Sequence, residues 1–168
     1  MEADASRLDP ALQGAEVTQF VIDSRESQAG VVFFALSQPE YKNNCFNGDF
    51  EDSTPYAAAA LENGATAAVV RPERFEEHRA ALEKYADRLI FVPDVIAAFQ
   101  KLAHGVYLEW NKPVVAVTGS AGKTTAKELT AHVLESSGRR VLKNIKNYNN
   151  GLGLPITVLN LAKDASFD

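Results

Sequence analysis

The eight residues Thr118-Gly-Ser-Ala-Gly-Lys-Thr-Thr125 constrain this chain more than any other segment. They follow an apolar run, Val114-Val-Ala-Val117, and lead into a stretch of helical character from Lys123 to Ser137. A strand, a glycine turn and a helix with a lysine and hydroxyls at its mouth form a grip for a polyphosphate. Backbone N–H groups at the turn point at the phosphates, and the helix dipole favours their charge. On this reading Gly119, Ser120, Ala121 and Gly122 supply the backbone cradle and Lys123 reaches the terminal phosphates of ATP. Thr124 holds the Mg2+ ion that travels with them, and Thr125 either touches the α-phosphate or caps the helix. The longer form of the motif asks for glycine where Val117 stands, so the chain carries the shorter Gly119-x-x-Gly122-Lys-Thr-Thr.

The surroundings suit a soluble, polyphosphate-binding chain. Apolar residues make up 46% of the 168 and charged residues 23%, the balance of an ordinary globular protein. No apolar run approaches the roughly 20 residues of a membrane helix, and the first seven residues lack the basic-then-apolar order of a secretory signal. The single cysteine, Cys45, excludes an internal disulfide and fits a reducing, cytoplasmic compartment. Residues 1–111 carry 9 Lys and Arg against 18 Asp and Glu, whereas residues 112–168 carry 8 against 4. Positive potential therefore gathers on the part that holds the glycine loop. The basic residues are scattered, without the aromatic interleaving of a nucleic-acid surface, so no nucleic-acid partner is expected.

The pattern along the chain predicts alternating strands and helices. Val17–Ile22 reads as a short strand, Val31–Leu36 as a buried one, and Ser37–Asp52, rich in Asn, Asp, Gly and Pro, as loop. Thr54-Pro55 opens a helix that stops at Gly64. Ala67–Val70 is a strand, Pro72 opens a helix to about Ala86, and Leu89–Val92 is a strand. Asp94 caps a longer helix whose Val95, Phe99, Leu102, Val106 and Trp110 recur at helical spacing and face a core. Beyond Pro113 the pattern predicts a strand at Val114–Val117, a helix burying Leu129 and Val133, a strand at Arg140–Leu142, and a helix at Gly153–Leu159 opened by Pro155. The expected fold class is α/β with a largely parallel sheet. The chain divides near residue 111, and residues 112–168 run one βαβ step beyond the start of the glycine-loop strand.

Three further groups are candidates for chemistry. Asp23-Ser24-Arg25 follows the first strand; it forms either a surface turn, with Asp23 bonding its own backbone, or a serine–arginine contact to a phosphate or nucleoside. Asn147, Asn149 and Asn150 crowd a loop ending at Gly151; they are either turn residues or amides lining a polar substrate. His78, His104 and His132 have no partner at metal-ligand spacing and read as surface residues. Glu51-Asp52 and Glu76-Glu77 read as solvated faces, and no catalytic carboxylate pair stands out.

Taken together, these segments resemble the Mur ligases, ATP-dependent amide-forming enzymes of bacterial cell-wall synthesis. The resemblance rests on Asp23-Ser-Arg25, Gly30–Leu36, Ala59–Val70 with Asn63-Gly-Ala65, Val92-Pro-Asp94 and Ala97–Ala103. The loop at Thr118–Thr125 is similar to the family's ATP loop, which has the same shortened form. Asn147-Tyr-Asn-Asn-Gly-Leu-Gly-Leu-Pro155 is most similar to the member that adds D-alanyl-D-alanine, while the member adding the third amino acid shares the N-terminal pattern. The chain departs at Phe46-Asn-Gly-Asp49, where members of this type carry a histidine-ending segment, and at Asn144-Ile-Lys146.

The resemblance implies a two-domain front of a longer ligase: a small N-terminal α/β UDP-substrate domain, residues 1–111, and the first βαβ unit of a P-loop-type ATPase domain, residues 112–168. Ser24 and Arg25 would bind the UDP end of a UDP-N-acetylmuramoyl-peptide, and Asn147, Asn149 and Asn150 would line the path to the ATP loop. It also implies a cytoplasmic, monomeric full-length enzyme, with the piece spanned by these residues binding rather than turning over. An unrelated P-loop kinase with a fused α/β domain is the competing class.

Overall fold

The computed structural model describes residues 3–43, 51–144 and 150–168. Its frame is a four-stranded, all-parallel sheet in the order β1-β2-β3-β4, formed by Gln19–Val21, Val31–Phe34, Ala67–Val70 and Leu89–Phe91. The register pairs Gln19 with Val31, Val32 with Ala67, and Ala68 with Leu89. Residue Asp4 adds an antiparallel bridge to Phe91 at the outer edge. Seven α-helices complete the described chain: α1 (Gln38–Asn43), α2 (Ala57–Glu62), α3 (Pro72–Glu77), α4 (Arg79–Leu82), α5 (Val95–Trp110), α6 (Lys123–Ser136) and α7 (Gly153–Leu159).

Strand side chains alternate between two cores, as the pleat requires. Val31, Phe33, Ala68, Val70, Leu89 and Phe91 face α2, α3 and α4 through Ala57, Ala60, Leu61, Phe75 and Leu82. Val32, Phe34, Ala67 and Val69 face α5 through Val95, Ile96, Phe99 and Ala103. Strands buried on both faces explain the continuous apolar runs in the sequence. The strand order rises without reversal, and α2, α3 and α4 of the crossovers stack on one face, while α5 and Tyr41 of α1 cover the other. The helix α7 joins that second core with Leu152 and Leu159, and Gln100 of α5 donates to the Gly151 carbonyl at 2.8 Å.

Helix boundaries follow local chemistry. The Asp94 carboxylate accepts from Ala97 N–H at 2.9 Å and starts α5; Asn111, at φ +46°, ends it in the left-handed region. Thr54-Pro55 opens a single 3-10 turn, Thr54–Tyr56, before α2. The helix expected from Pro72 to Ala86 is interrupted at His78, where φ −111° and ψ 18° leave helical space, and it continues as α4 and a 3-10 stretch, Glu83–Arg88.

Several sequence expectations need correction. Part of the predicted loop 37–52 is helix α1, organised by Glu40 rather than by apolar periodicity. The Glu40 carboxylate, 1% exposed, accepts from Ser37 N–H at 2.7 Å and from Val95 N–H at 3.3 Å, and lies 3.6 Å from Arg71 Nε. It therefore joins the starts of α1 and α5. Asp52 is not a solvated face either: its side chain is 17% exposed and pairs with Arg74. Residues 114–117 and 140–142 do not form strands among the described residues. Val114 and Val115 are 62% and 64% exposed, and the Arg140 carbonyl accepts one bond, from Asp168 N–H at 2.9 Å. A parallel strand needs a neighbour to take its backbone groups, and none is described beside Val114–Val117. Leu129 and Val133 of α6 are 61% and 59% exposed, while Ala131 is the buried residue. They occupy a different face from Lys127, Ala131 and Leu134, which line a cleft against other parts of the described chain.

Phe99, fully buried and edge-on to Phe34 at 4.9 Å between centroids, anchors the second core. Phe99→Ala is expected to cost about 3–5 kcal/mol in urea unfolding; a loss below about 1 kcal/mol would mean that α5 is not the sheet's cover.

Burial raises the Glu40 carboxyl above its ordinary value of 4.5, against the opposing effect of the N–H groups of Ser37 and Val95 and the charge of Arg71. A raised acid contributes stability that is full below its unfolded midpoint and lost as pH climbs through the folded one. The unfolding free energy of the wild type should therefore fall over that interval relative to Glu40→Gln, which has no such titration. Parallel pH curves for the two proteins would contradict this.

Candidate functional site

The glycine loop precedes α6 directly, so the free N–H groups of that helix open onto it. Gly122 stands at the helix N-cap with φ +74°, a conformation that glycine adopts without the cost of a Cβ. No heavy atom lies within 4 Å of the position its Cβ would take, so the backbone approach is open. Lys123 is the first residue of α6, and its ammonium donates to the Gly119 carbonyl, folding the side chain back over the loop. Ser120, Ala121, Thr124 and Thr125 are all exposed. A polyphosphate placed here would meet N–H donors, a cation and hydroxyl oxygens without displacing packed side chains.

Lys127, one turn further along α6, points elsewhere. Its ammonium donates to the Asn144 carbonyl at 2.8 Å and lies 3.1 Å from Glu128, which also holds Lys143 at 2.7 Å. Beside these residues lies a cleft of about 460 Å³, lined by Trp110, Val115, Val117, Leu134, Val141 and Leu154 among others. Its walls combine the segments that do not pair as strands with residues of α5, α6 and α7.

Asp23-Ser24-Arg25 sits at the carboxyl end of β1, the edge where open α/β sheets take ligands. Ser24 opens a 3-10 turn, Ser24–Glu26, that Asp23 caps by accepting Arg25 N–H at 3.0 Å. The Arg25 guanidinium folds onto the same carboxylate, with Nη2 at 2.5 Å, while 87% of the side chain remains exposed. These bonds hold the Asp23 carboxyl below its usual range. Thus the turn is the local Asx structure that its residue types favour, and it presents an arginine to solvent.

Asn150 is the described member of the asparagine run; Asn147 and Asn149 lie outside the described residues, as do Cys45 and Phe46-Asn-Gly-Asp49. The Asn150 Oδ1 accepts from Leu152 and Gly153 N–H at 3.1 and 2.8 Å, so this oxygen caps α7. Sequence reasoning missed that role, although an asparagine three residues ahead of the helix start was available as a signal. It also missed Glu40 and Lys127, which carry no recognisable motif. Of the histidines, His104 and His132 are exposed, while His78 is half-buried with Nε2 3.8 Å from Asp52. Among the described residues no cluster of His, Cys, Asp or Glu could hold a metal, and no helix is long and apolar enough to cross a membrane.

Residues 117–167, which contain the glycine loop, match the family model described as the Mur ligase middle domain. That segment belongs to the Mur ligase family through its middle domain. Relatives named UDP-N-acetylmuramoyl-tripeptide--D-alanyl-D-alanine ligase include that of Haemophilus influenzae, 31% identical over 92% of this chain and 31% of its own length. That of Synechocystis sp. is 35% identical over 90% of this chain and 30% of its own. The solved MurF ligase of Thermotoga maritima in complex with ADP superposes with a TM-score of 0.63 at 30% identity, covering 91% of this chain and 30% of that one. The chain therefore spans about a third of the length of the relatives it matches.

Replacing Asn150 by Ala removes both acceptor contacts at the start of α7 and is expected to cost about 0.5–2 kcal/mol in denaturant unfolding. An unchanged midpoint would show that the side chain is free for another use.

Proposed function

We propose that this chain provides the UDP-substrate-binding unit and the first nucleotide-binding unit of an ATP-dependent ligase. That ligase joins D-alanyl-D-alanine to UDP-N-acetylmuramoyl-tripeptide in peptidoglycan precursor synthesis. The observation that carries this reading is the shortened glycine loop set directly before α6 with Lys123 at its first position, in a chain whose relatives bear that ligase's name. Residues 1–111 are assigned to the substrate and 112–168 to the beginning of the ATP-binding domain. A cytoplasmic location follows from the reaction, since soluble nucleotide-linked precursors are its substrates.

In the reaction the γ-phosphoryl group of ATP passes to the terminal carboxylate of the tripeptide, releasing ADP. The amine of D-alanyl-D-alanine then attacks the acyl phosphate, forms the amide and expels inorganic phosphate. Both steps move negative charge, and the N–H groups of residues 119–123 with the Lys123 ammonium are aimed at the place where it gathers. Lys123 leaves the Gly119 carbonyl for the phosphates, a change of partner that its exposed, flexible stem permits. The hydroxyl of Thr124, exposed at the mouth of α6, suits Mg2+, which accepts a protein oxygen alongside phosphates and water. When bound, that ion neutralises charge on the phosphate oxygens. Ser24 and Arg25 hold the UDP moiety at the carboxyl edge of the sheet, and Asn147, Asn149 and the free amide NH2 of Asn150 line the way between the two. Binding energy gained at the UDP end then helps to orient the carboxylate.

Isothermal titration of this chain tests the assignment. Lys123→Ala is expected to weaken Mg-ATP binding at least tenfold and to leave UDP-N-acetylmuramoyl-tripeptide binding unchanged, while Arg25→Ala does the reverse, about tenfold being the worth of one charge-assisted contact. Unaltered UDP-ligand binding in Arg25→Ala would favour a kinase-like nucleotide protein with an unrelated first unit.

A further inference from the structure

We propose that the groove along the outer flank of α5 is a self-association surface. A second copy of this chain lays its own α5 antiparallel against the first, with the two Gly105 residues facing each other on a two-fold axis. The proposal does not depend on the nucleotide reading, and it departs from the monomer that the family resemblance implies.

The groove measures about 670 Å³ and is lined by Val92, Ala98, Lys101, Leu102, Gly105 and Glu109 among others. Lys101, Gly105 and Glu109 stand four residues apart in one row along α5, and Ala98, Leu102 and Val106 form the row beside it. Leu102 and Val106 are half-buried at the margin of the second core, whereas Lys101, Gly105 and Glu109 are exposed. The fold itself uses other sides of the helix. Gln100 turns to the Gly151 carbonyl, while Val95, Ile96, Phe99 and Ala103 face the sheet. Leu108, on the opposite margin of the groove from Leu102, is 59% exposed.

Gly105 is the first indication of a partner helix. Glycine inside a helix costs about 0.5–1 kcal/mol relative to alanine, and a Cβ at this position would meet no heavy atom within 4 Å. The packing of the single chain therefore makes no use of the missing side chain. What a bare position on an exposed helix permits is the approach of another helix to an interaxial distance of about 8 Å.

The charges identify that helix as a second α5. In an antiparallel pair centred on residue 105, positions equally far from it on opposite sides come level. Lys101, four residues before, meets Glu109, four residues after, on the other copy, and the two-fold axis forms this pair twice. Leu102 comes level with Leu108 in the same way, so the large apolar side chain that one chain leaves exposed gains a cover. A parallel pair would set lysine against lysine and glutamate against glutamate, which complementarity excludes. Interdigitated rows of this spacing cross at about −50°, which confines the contact to the turns on either side of Gly105.

Sedimentation equilibrium of the chain over a range of concentrations tests the surface. The wild type is expected to pass from the 18.3 kDa of one chain toward twice that mass. Lys101→Glu and Glu109→Lys each place like charges across the pair and should weaken association about tenfold or more. The double variant carrying both changes should recover it to within about threefold of the wild type. Gly105→Leu favours the helix but fills the crossing point, so it should leave a monomer whose melting temperature is no lower. A wild type that stays monomeric overturns the proposal. Association that survives in Lys101→Glu, Glu109→Lys and Gly105→Leu alike also overturns it, and moves the contact to the exposed Val114, Val115 and Leu129. A double variant no better than its parents does the same, since the two charges would then not be partners.

Discussion

The packing of α5 against the second face of the sheet is the contact on which the remainder depends. Val95, Ile96 and Phe99 are completely buried there, against Val32, Phe34 and Val69. Without that cover, one face of a sheet with two apolar faces would be open to water, a state that parallel sheets do not tolerate. The helix also sets the direction of everything after it. Its start is held by Asp94 and by the buried Glu40 carboxylate, and its left-handed end at Asn111 turns the chain toward the glycine loop. Through Gln100 and its contacts with α7 it reaches the asparagine segment as well. One helix thus touches both the sheet and the start of α7.

The carboxyl edge of the sheet collects the polar machinery of the first unit. Asp23-Ser24-Arg25 follows β1, Ser37 and Glu40 follow β2, Arg71 follows β3 and Asp94 follows β4. The reason is geometric, since in a parallel sheet every strand delivers its outgoing loop to the same edge. Glu40 is costly in this setting. A carboxylate removed from water must be matched by N–H groups and a nearby cation, and Ser37, Val95 and Arg71 supply them.

Much of this could be read from the residues in order. The four strands, the cap at Asp94, the periodicity of α5 and the turn before α6 came from signals that act over a few neighbours, and local physics was enough for them. Helix α1 was not readable, because its organising contact joins Glu40 to Val95, 55 residues away. The break at His78 escaped notice for a similar reason, as nothing in the local composition forbids a continuous helix. Val114–Val117 and Arg140–Leu142 have strand character, yet a strand is a relation between two pieces of chain, and no neighbour is described beside Val114–Val117. Leu129 and Val133 follow the same logic: their spacing defines a face, but spacing cannot supply the layer that covers it. At the candidate site, the glycine loop was legible since its chemistry is contiguous. Lys127 was not, because its role consists of a bond across the fold.

The seating of α7 in the second core changes how the two halves of the chain share stability. Leu152 and Leu159 lie in the same apolar cluster as Phe34 and Phe99, so melting the first unit uncovers part of the second, and the reverse. On the proposed division at residue 111 the two units are then linked in the thermodynamic sense: a ligand held at either one would raise the free energy of opening both. A sheet with no residue in the glycine loop would register nucleotide as added resistance to its own unfolding.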